Sequence, residues 1–529
     1  MAVGKNGMAA TSQGVATLTA VDILQSGGNA MDAAVAACAV QCVVEAGSTG
    51  VGGDCFALFS PGGSEDVIAY NGSGRTPSAA TLDWYAERGI GTIERHSPHA
   101  VTVPGAVEAW ARLVADHGRL PMAKVLEPAI LLARDGYAIA PRVAYDIANQ
   151  RDLLMLDPTA RRLFLRDDRA PQVGSIQRQP ELAKTLEAIG REGPDAFYRG
   201  AIAADMVGYL NSLGGLHTLD DFAATRGEYV EPIRTEFRGR TVYECPPNGQ
   251  GIIALMILKI LSRFAVRPDP LDLDNLHIEI EAARLAYAAR DAFLGDPAQR
   301  EIPVDYLMSD RFADELAAKI DLSRAIDSLP AFDAAEHADT VYIAVVDKDR
   351  NAVSFINSLF NHYGSGLVSP KSGVLFQSRG ASFNLSEGHP NAIAPRKRPL
   401  HTIIPGFMQK GDETIGFGIM GGFNQAQAHA QFVSNIVDFG MNIQAALSAP
   451  RFTKPTFEGC DLLIESRVPE GVRQELTAKG HQLTVVGPYS LSMGRGNVVM
   501  RKGADVNFGA SDPRADGEAI PQVPNWTVR

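Results

Sequence analysis

The chain has 529 residues, 45% of them hydrophobic and 21% charged, with a formal net charge of −12. Those proportions are ordinary for a globular protein, but the acidic balance argues against a nucleic-acid partner, because a phosphate backbone is held by concentrated Lys and Arg and the densest basic stretches, ARLVADHGR and APRKRPLH, are short. Five cysteines without a CxxC pair argue against a disulfide framework and against a four-cysteine zinc site.

The first fifteen residues, MAVGKNGMAATSQGV, carry no apolar signal-peptide core, and no apolar run reaches the ~18 residues of a membrane helix. The expectation is a soluble, reduced, cytoplasmic protein with no membrane contact. Residues 15–45 read as a helix pair broken at Gly27-Gly28-Asn29. The second helix, MDAAVAACAVQCVVEA, has small residues nearly all round, so it is expected to be buried against close neighbours. Cys38 and Cys42 then read as packed thiols. GSTGVGGDCFALFSP predicts a tight turn running into a strand, and DVIAYNGSGR a second strand and turn. Residues 100–290 read as mainly helical, with a hairpin at TEFRGRTVYECPP. Residues 298–338 are polar, contain Pro303 and Pro330, and end in LPAFDAAEHAD without clear periodicity, which predicts a linker. The texture then changes. DTVYIAVVDKDRNAVSFINSL predicts two alternating β runs joined by a turn at Lys348-Asp349-Arg350-Asn351. HTIIPGFM, TIGFGIM, LLIES, LTVV and NVVMRKG predict further strands, and AQAHAQFVSNIVDFG, NIQAALSAP and VRQELTAKG helices. The whole is an α/β protein rich in loops.

No G-x-S-x-G elbow, H-E-x-x-H pair or Walker loop is present. Eleven histidines are scattered without ligand spacing. Thr340 stands out by position, where a polar linker ending in His337-Ala338-Asp339 meets a β-strand. There a self-cleaving precursor would place its nucleophile: the hydroxyl attacks the preceding carbonyl, and an N-to-O acyl shift and hydrolysis free the α-amino group. That amine, with a pKa of about 8, can take the proton from its own hydroxyl, so one residue supplies nucleophile and base. On its residues alone, a threonine opening a strand is equally a plain β-former.

Many stretches, taken in order, share one resemblance. They are ILQSGGNAMDAAVAA, VVEAGSTGVGGDCF, VTVPGAVEAW, LEPAILLARDGY, AFYRG, YAARDAFLGDP, DTVYIAVVDKDRNAV, YGSG, RKRPLHTIIP, MGGFNQAQAHAQ, SAPRF and GASDPR. From about Met8 to Arg514 the chain resembles the gamma-glutamyltransferase family. The resemblance implies the four-layer αββα sandwich of N-terminal-nucleophile hydrolases. It implies cleavage between Asp339 and Thr340 into a large piece, 1–339, and a small one, 340–529, which stay together as a heterodimer in one body. It implies Thr340 as nucleophile, Gly421 and Gly422 as the oxyanion hole, Ser358 as the hydroxyl that bonds the nucleophile, and Thr402 as a hydroxyl lining the site. Arg75, in NGSGRTPSAAT, matches the arginine that grips the donor α-carboxylate. No metal and no organic cofactor is implied.

Three positions depart from the family pattern. Phe360 replaces an asparagine near the donor carboxylate, Ala381-Ser382 replaces an acidic pair at the donor α-amino group, and His401 replaces a site serine. A glutamyl ammonium would lose its carboxylate partner, and a buried unpaired charge costs several kcal/mol in effective terms. The pattern is similar to acylase and oxamate-amidohydrolase-like members, so the expected reaction is hydrolysis of an amide on a small carboxylate-bearing, oxamate-like molecule. Arg379, His401 and Ser382 join Phe360 and Thr402 as candidate substrate contacts. Two alternatives stay open: a gamma-glutamyltransferase or glutathione hydrolase passing a gamma-glutamyl group to amino acids or water, and an unprocessed, non-catalytic relative serving as a binding or scaffold protein.

Overall fold

The apolar run that follows Thr340 is buried on both faces. In the computed structural model, which describes residues 1–329, 339–454, 459–503 and 506–524, Val341, Ile343 and Val345 enter an apolar cluster shared with helices. Their alternates Tyr342, Ala344 and Val346 enter a second cluster shared with another sheet. Successive side chains of a strand point to opposite faces, so a strand sandwiched between two layers needs apolar residues at every position. That is why VYIAVV runs unbroken where a half-exposed strand would alternate.

The strand Asp339–Val346 lies near the middle of a seven-stranded sheet. In spatial order the strands are Glu518–Pro521, Met8–Thr11, Asp339–Val346, Ala352–Phe360, Asp54–Ser60, Ile68–Gly72 and Glu228–Val230. A second seven-stranded sheet runs Ala2–Gly4, Val506–Ser511, Arg495–Lys502, Glu413–Met420, Gly406–Lys410, Arg240–Glu244 and Ile233–Phe237. Neighbouring strands in both are antiparallel, among them the pairs flanking Asp339–Val346 and Glu413–Met420. The inner faces meet through Phe56, Tyr342, Ile356, Phe407, Met420 and Val499. Helices cover the outer faces. On one side, the helix Ala30–Val44 packs with Trp110 and Leu126 over Val341 and Ile343. On the other, Gly251–Leu261, Leu273–Phe293 and Gln425–Val437 pack over Ile415, Phe417 and Ile419. The order is helix, sheet, sheet, helix: the expected αββα sandwich.

The helix Ala30–Val44 begins where the sequence says it should. Asn29 and Asp32 form a reciprocal capping box, satisfying N–H groups that the first turn leaves open. All fifteen of its residues are buried, and its alanines allow the close approach that such burial needs. Cys38, Cys42, Cys55 and Cys245 are buried, unbridged thiols, and Cys460 is half-buried and also unbridged. Among the described residues, no helix is long and apolar enough to cross a membrane.

Two expectations need correction. The segment 298–338 is not linker throughout: Val304–Leu307 and Asp310–Ala317 are helices, and Phe312, Ala313 and Leu316 bury one face of the second. Charge density hid the spacing of those three apolar residues. Residues 330–338 of the expected linker, within LPAFDAAEHAD, lie outside the described residues. HTIIPGFM is a strand only from Gly406 onward. Residues 401–405 approach it as irregular backbone, and His401 makes a single bridge to Gly249.

Candidate functional site

Thr340 is fully buried at the start of its strand. A bulge between Asp339 and Val341 interrupts the pairing with the strand Ala352–Phe360. Bulges re-aim the side chain that they displace, and here Thr340 Oγ1 donates to Ser358 Oγ at 3.1 Å. Ser358 is held from behind by Gly53, where a Cβ would lie 2.3 Å from the Ser358 carbonyl oxygen. Only glycine lets that turn pass so close.

Ser358 Oγ also accepts from Phe360 N–H at 2.9 Å and from Arg379 Nη2 at 3.2 Å. Phe360 holds a left-handed φ of 78°, an unfavourable conformation for a bulky residue and one that clusters at functional sites. Its ring lies under the Arg379 guanidinium, 4.3 Å from Cζ to the ring centroid. Arg379 opens the short turn Arg379–Ser382 and its Nη1 donates to Thr402 Oγ1 at 2.6 Å. Burial lowers the guanidinium pKa to about 9, with the negative charge of Asp54 opposing the shift. It remains a cation at neutral pH.

Thr402 ties this chain of contacts to the paired glycines. Gln250 Nε2 donates to the Thr402 carbonyl at 2.8 Å and to the Gly422 carbonyl at 3.0 Å. Gly421 and Gly422 end the strand Glu413–Met420 with φ of 144° and 61°, a region in which L side chains are strained. The facing sheets carry Thr340 toward the same end. Arg501, paired with Thr414, reaches the Asp347 carbonyl, while the Tyr342 ring occupies the space beside Gly418. Moving back along one strand therefore moves forward along the other.

His401 and Asp54 lie beside this group. His401 Nε2 meets Asp54 Oδ2 at 3.1 Å, and both side chains are fully buried. Asp54 Oδ1 accepts from Gly74 N–H at 2.9 Å, Gly105 N–H at 3.0 Å and Gln377 Nε2 at 3.0 Å. Burial lowers the His401 pKa to about 4, helped by the nearby charge of Arg379 and opposed by Asp54. The imidazole is neutral at pH 7. Among the described residues no cluster of His, Cys, Asp or Glu could hold a metal ion.

A stability profile follows from this burial. His217, also fully buried, donates from Nε2 to the Val101 carbonyl at 2.8 Å and has its pKa lowered by desolvation to about 4. Unfolded histidines titrate near 6.5. Between there and pH 4 the unfolded chain binds protons that the folded chain refuses. The stability that His401 and His217 contribute is full above about pH 6.5 and is lost progressively as pH falls toward 4. The two together give a slope of at most ~3 kcal/mol per pH unit. Chemical denaturation midpoints measured from pH 7.5 to 4.5 check this, and His217→Gln should flatten the profile.

Arg75 is placed elsewhere. It is half-buried; its Nη1 pairs with Asp296 Oδ2 at 3.4 Å and donates to the Arg396 carbonyl at 3.2 Å. It lines a pocket of about 300 Å³ with Thr76, Asp221 and Arg226, and among the described residues none of its hydrogen bonds reaches Thr340, Ser358 or Arg379. Ser382 donates to the Arg379 carbonyl at 2.8 Å and, with Phe360, Asn361, Ala381 and Phe423, lines a larger cavity of about 650 Å³. The structure therefore gathers Thr340, Ser358, Phe360, Arg379 and Thr402 directly, with Gly422 and His401 attached through neighbours, and leaves the Arg75 guanidinium out. Asp54, Gln250 and Gln377 were not legible as site residues. Asp54 had one available signal: an acidic residue heading the apolar strand CFALF is a buried charge, and a buried charge needs a purpose.

Comparison with known proteins agrees with this architecture. The family model for gamma-glutamyltranspeptidase matches residues 16–522. The glutathione hydrolase-like YwrD proenzyme of Bacillus subtilis is 36% identical over 525 residues, covering 98% of this chain and 99% of that one. The oxamate amidohydrolase proenzyme of Klebsiella pneumoniae is 34% identical over 531 residues, covering 98% of each. The crystal structure of cephalosporin acylase from Bacillus halodurans superposes with a TM-score of 0.93 at 38% identity, covering 99% of this chain and 97% of that one. The αββα body, the buried threonine at a strand start and these matches together make the chain an enzyme of the gamma-glutamyltranspeptidase family.

Proposed function

We propose that this chain is a self-processing amidohydrolase whose nucleophile is Thr340, made as one precursor and cut between Asp339 and Thr340. The observation that carries the reading is the run of contacts from Thr340 Oγ1 through Ser358 Oγ and Arg379 to Thr402 Oγ1. In maturation, Thr340 Oγ attacks the Asp339 carbonyl carbon. The C–N bond breaks as the ester forms, and water then cleaves the ester, leaving the Asp339 carboxylate and the Thr340 amine. The products are chains of 339 and 190 residues that remain one heterodimeric body, since the new terminus lies inside a shared sheet.

In turnover the amine takes the Thr340 hydroxyl proton as the oxygen attacks the substrate carbonyl. Backbone N–H groups of Gly421 and Gly422 receive the oxyanion; such donors are typically worth ~3 to 4 kcal/mol each in the transition state. Ammonia or an amine leaves with the proton, and water releases the acyl group as a carboxylic acid. No step calls for a metal or an organic cofactor.

The proposed substrate is an amide of a small carboxylate, oxamate-like and without an α-ammonium. Two things support this reading: by resemblance Ala381 and Ser382 replace the family's acidic pair at the donor ammonium, and the Klebsiella relative is an oxamate amidohydrolase by name. The test uses processed protein. Ammonia release from oxamate is compared with gamma-glutamyl transfer from glutathione to an amino acid. Turnover of oxamate with little transfer is expected. Strong transfer without oxamate turnover would establish the gamma-glutamyltransferase reading in its place.

A further inference from the structure

Four buried arginines set a pattern from which Arg379 departs. Arg284, Arg398, Arg451 and Arg514 are buried, and each meets a carboxylate: Glu281, Glu228, Asp512 and Glu465 respectively. Arg379 is fully buried as well. Its direct hydrogen-bond partners are two hydroxyls, Ser358 Oγ and Thr402 Oγ1. Its Nε has no partner, and among the described residues no carboxylate lies within ion-pair distance. Asp54 acts on it only at longer range and is already committed to three N–H donors and His401. A buried charge without a counter-ion is costly, and a buried polar atom without a partner calls for an explanation.

We propose that the missing counter-ion is the substrate's own carboxylate, so that Arg379 anchors the acyl group while the charge it carries turns away acyl groups bearing an ammonium. This rests on Thr340 being the nucleophile, and it assigns the role that Arg75 would otherwise hold. Position supports it. Arg379 Nη2 is separated from Thr340 Oγ1 by no more than two hydrogen bonds laid end to end, 3.2 and 3.1 Å long. A carboxylate on the guanidinium and an amide carbon at Oγ1 therefore suit a short acyl chain. Phe360 supplies a flat apolar floor under the guanidinium and also lines the 650 Å³ cavity, which has room for a leaving group. Arg75, by contrast, already pairs with Asp296. Both Thr340 and Arg379 are enclosed while the chain is continuous, so the scission that exposes one serves the other.

The inference is tested with acyl groups matched in length. Glutaryl, gamma-glutamyl and valeryl p-nitroanilides share a five-carbon chain and differ only in carboxylate and ammonium; oxamate and acetamide form a shorter pair. The processed wild-type protein should prefer glutaryl over both other anilides, and oxamate over acetamide, by roughly 30-fold or more in kcat/KM, the scale of a charge-assisted contact. Arg379→Gln should erase that preference, chiefly through KM. Its rate on the carboxylate-free substrates should fall far less, and Arg379→Lys should restore part of the preference. Processing of each variant is read on a denaturing gel. Should neither variant mature, the wild-type preference alone decides.

A wild-type protein that favours gamma-glutamyl over glutaryl overturns the inference. So does a variant whose loss is equal with and without the carboxylate, or an Arg75→Gln variant that takes the loss in place of Arg379→Gln. A wild-type protein that hydrolyses none of these amides instead defeats the underlying assignment of Thr340.

Discussion

Thr340→Ala is expected to leave one uncut chain of 529 residues and to lower amide hydrolysis by about 10⁴-fold or more, the scale seen when a nucleophile acting within a catalytic unit is removed. Fold and stability should hardly change. The side chain donates to Ser358 Oγ, and a hydrogen bond of this kind contributes a net ~1 kcal/mol. The Thr340 backbone stays in the central sheet, and its apolar successors, Val341 to Val346, are untouched. A loss of both cleavage and activity with an intact circular dichroism spectrum and thermal transition is therefore chemical. Thr340→Ser, which keeps an attacking hydroxyl, should retain cleavage and part of the activity. A gel and an ammonia assay on the three proteins check the set.

Asp54→Ala is expected to be the most destabilising substitution near the site. The carboxylate is fully buried and accepts from Gly74, Gly105 and Gln377 on one oxygen while holding His401 on the other. Removing it strands several donors and withdraws the negative charge nearest Arg379. Breaking a buried, fully engaged charge typically costs ~3 to 5 kcal/mol, a large share of the stability of any domain. Asp54→Asn should cost less, ~1 to 3 kcal/mol. Its amide oxygen can keep the three donors, but its NH₂ would face the proton on His401 Nε2. Urea denaturation at pH 7.5 ranks the three proteins. Activity of Asp54→Asn should fall more than its stability does, because His401 precedes Thr402, and Thr402 is where Arg379 and Gln250 converge.

Much of the architecture was legible because burial writes itself into composition. The all-round small residues of MDAAVAACAVQCVVEA could only sit between close neighbours, and the capping pair Asn29 and Asp32 marks the start of that helix. The Lys348–Asn351 turn between two apolar runs gave the hairpin that presents Thr340 to Ser358. What failed did so for local reasons. Three apolar residues at helical spacing, Phe312, Ala313 and Leu316, were outvoted by the charges around them. Pro405 separates an irregular approach from a strand that hydropathy alone had merged.

The site was legible to a lesser degree. Thr340 looks like any β-former in isolation, and only the order of many short motifs singled it out. Arg75 was chosen by its place in a motif, and Arg379 only as one contact among several. Nothing in one dimension tells that Arg75 meets Asp296 while Arg379 is buried without a carboxylate. Asp54 does not stand out in one dimension, because its four contacts come from segments spread between residues 74 and 401.

The central claim is that scission of one peptide bond creates the catalytic group. N-terminal sequencing of the smaller chain from purified, active protein tests it most directly. The expected read begins Thr-Val-Tyr-Ile, the sequence from Thr340, with an unblocked α-amine. A different first residue, or full activity from protein that remains a single chain, would contradict it.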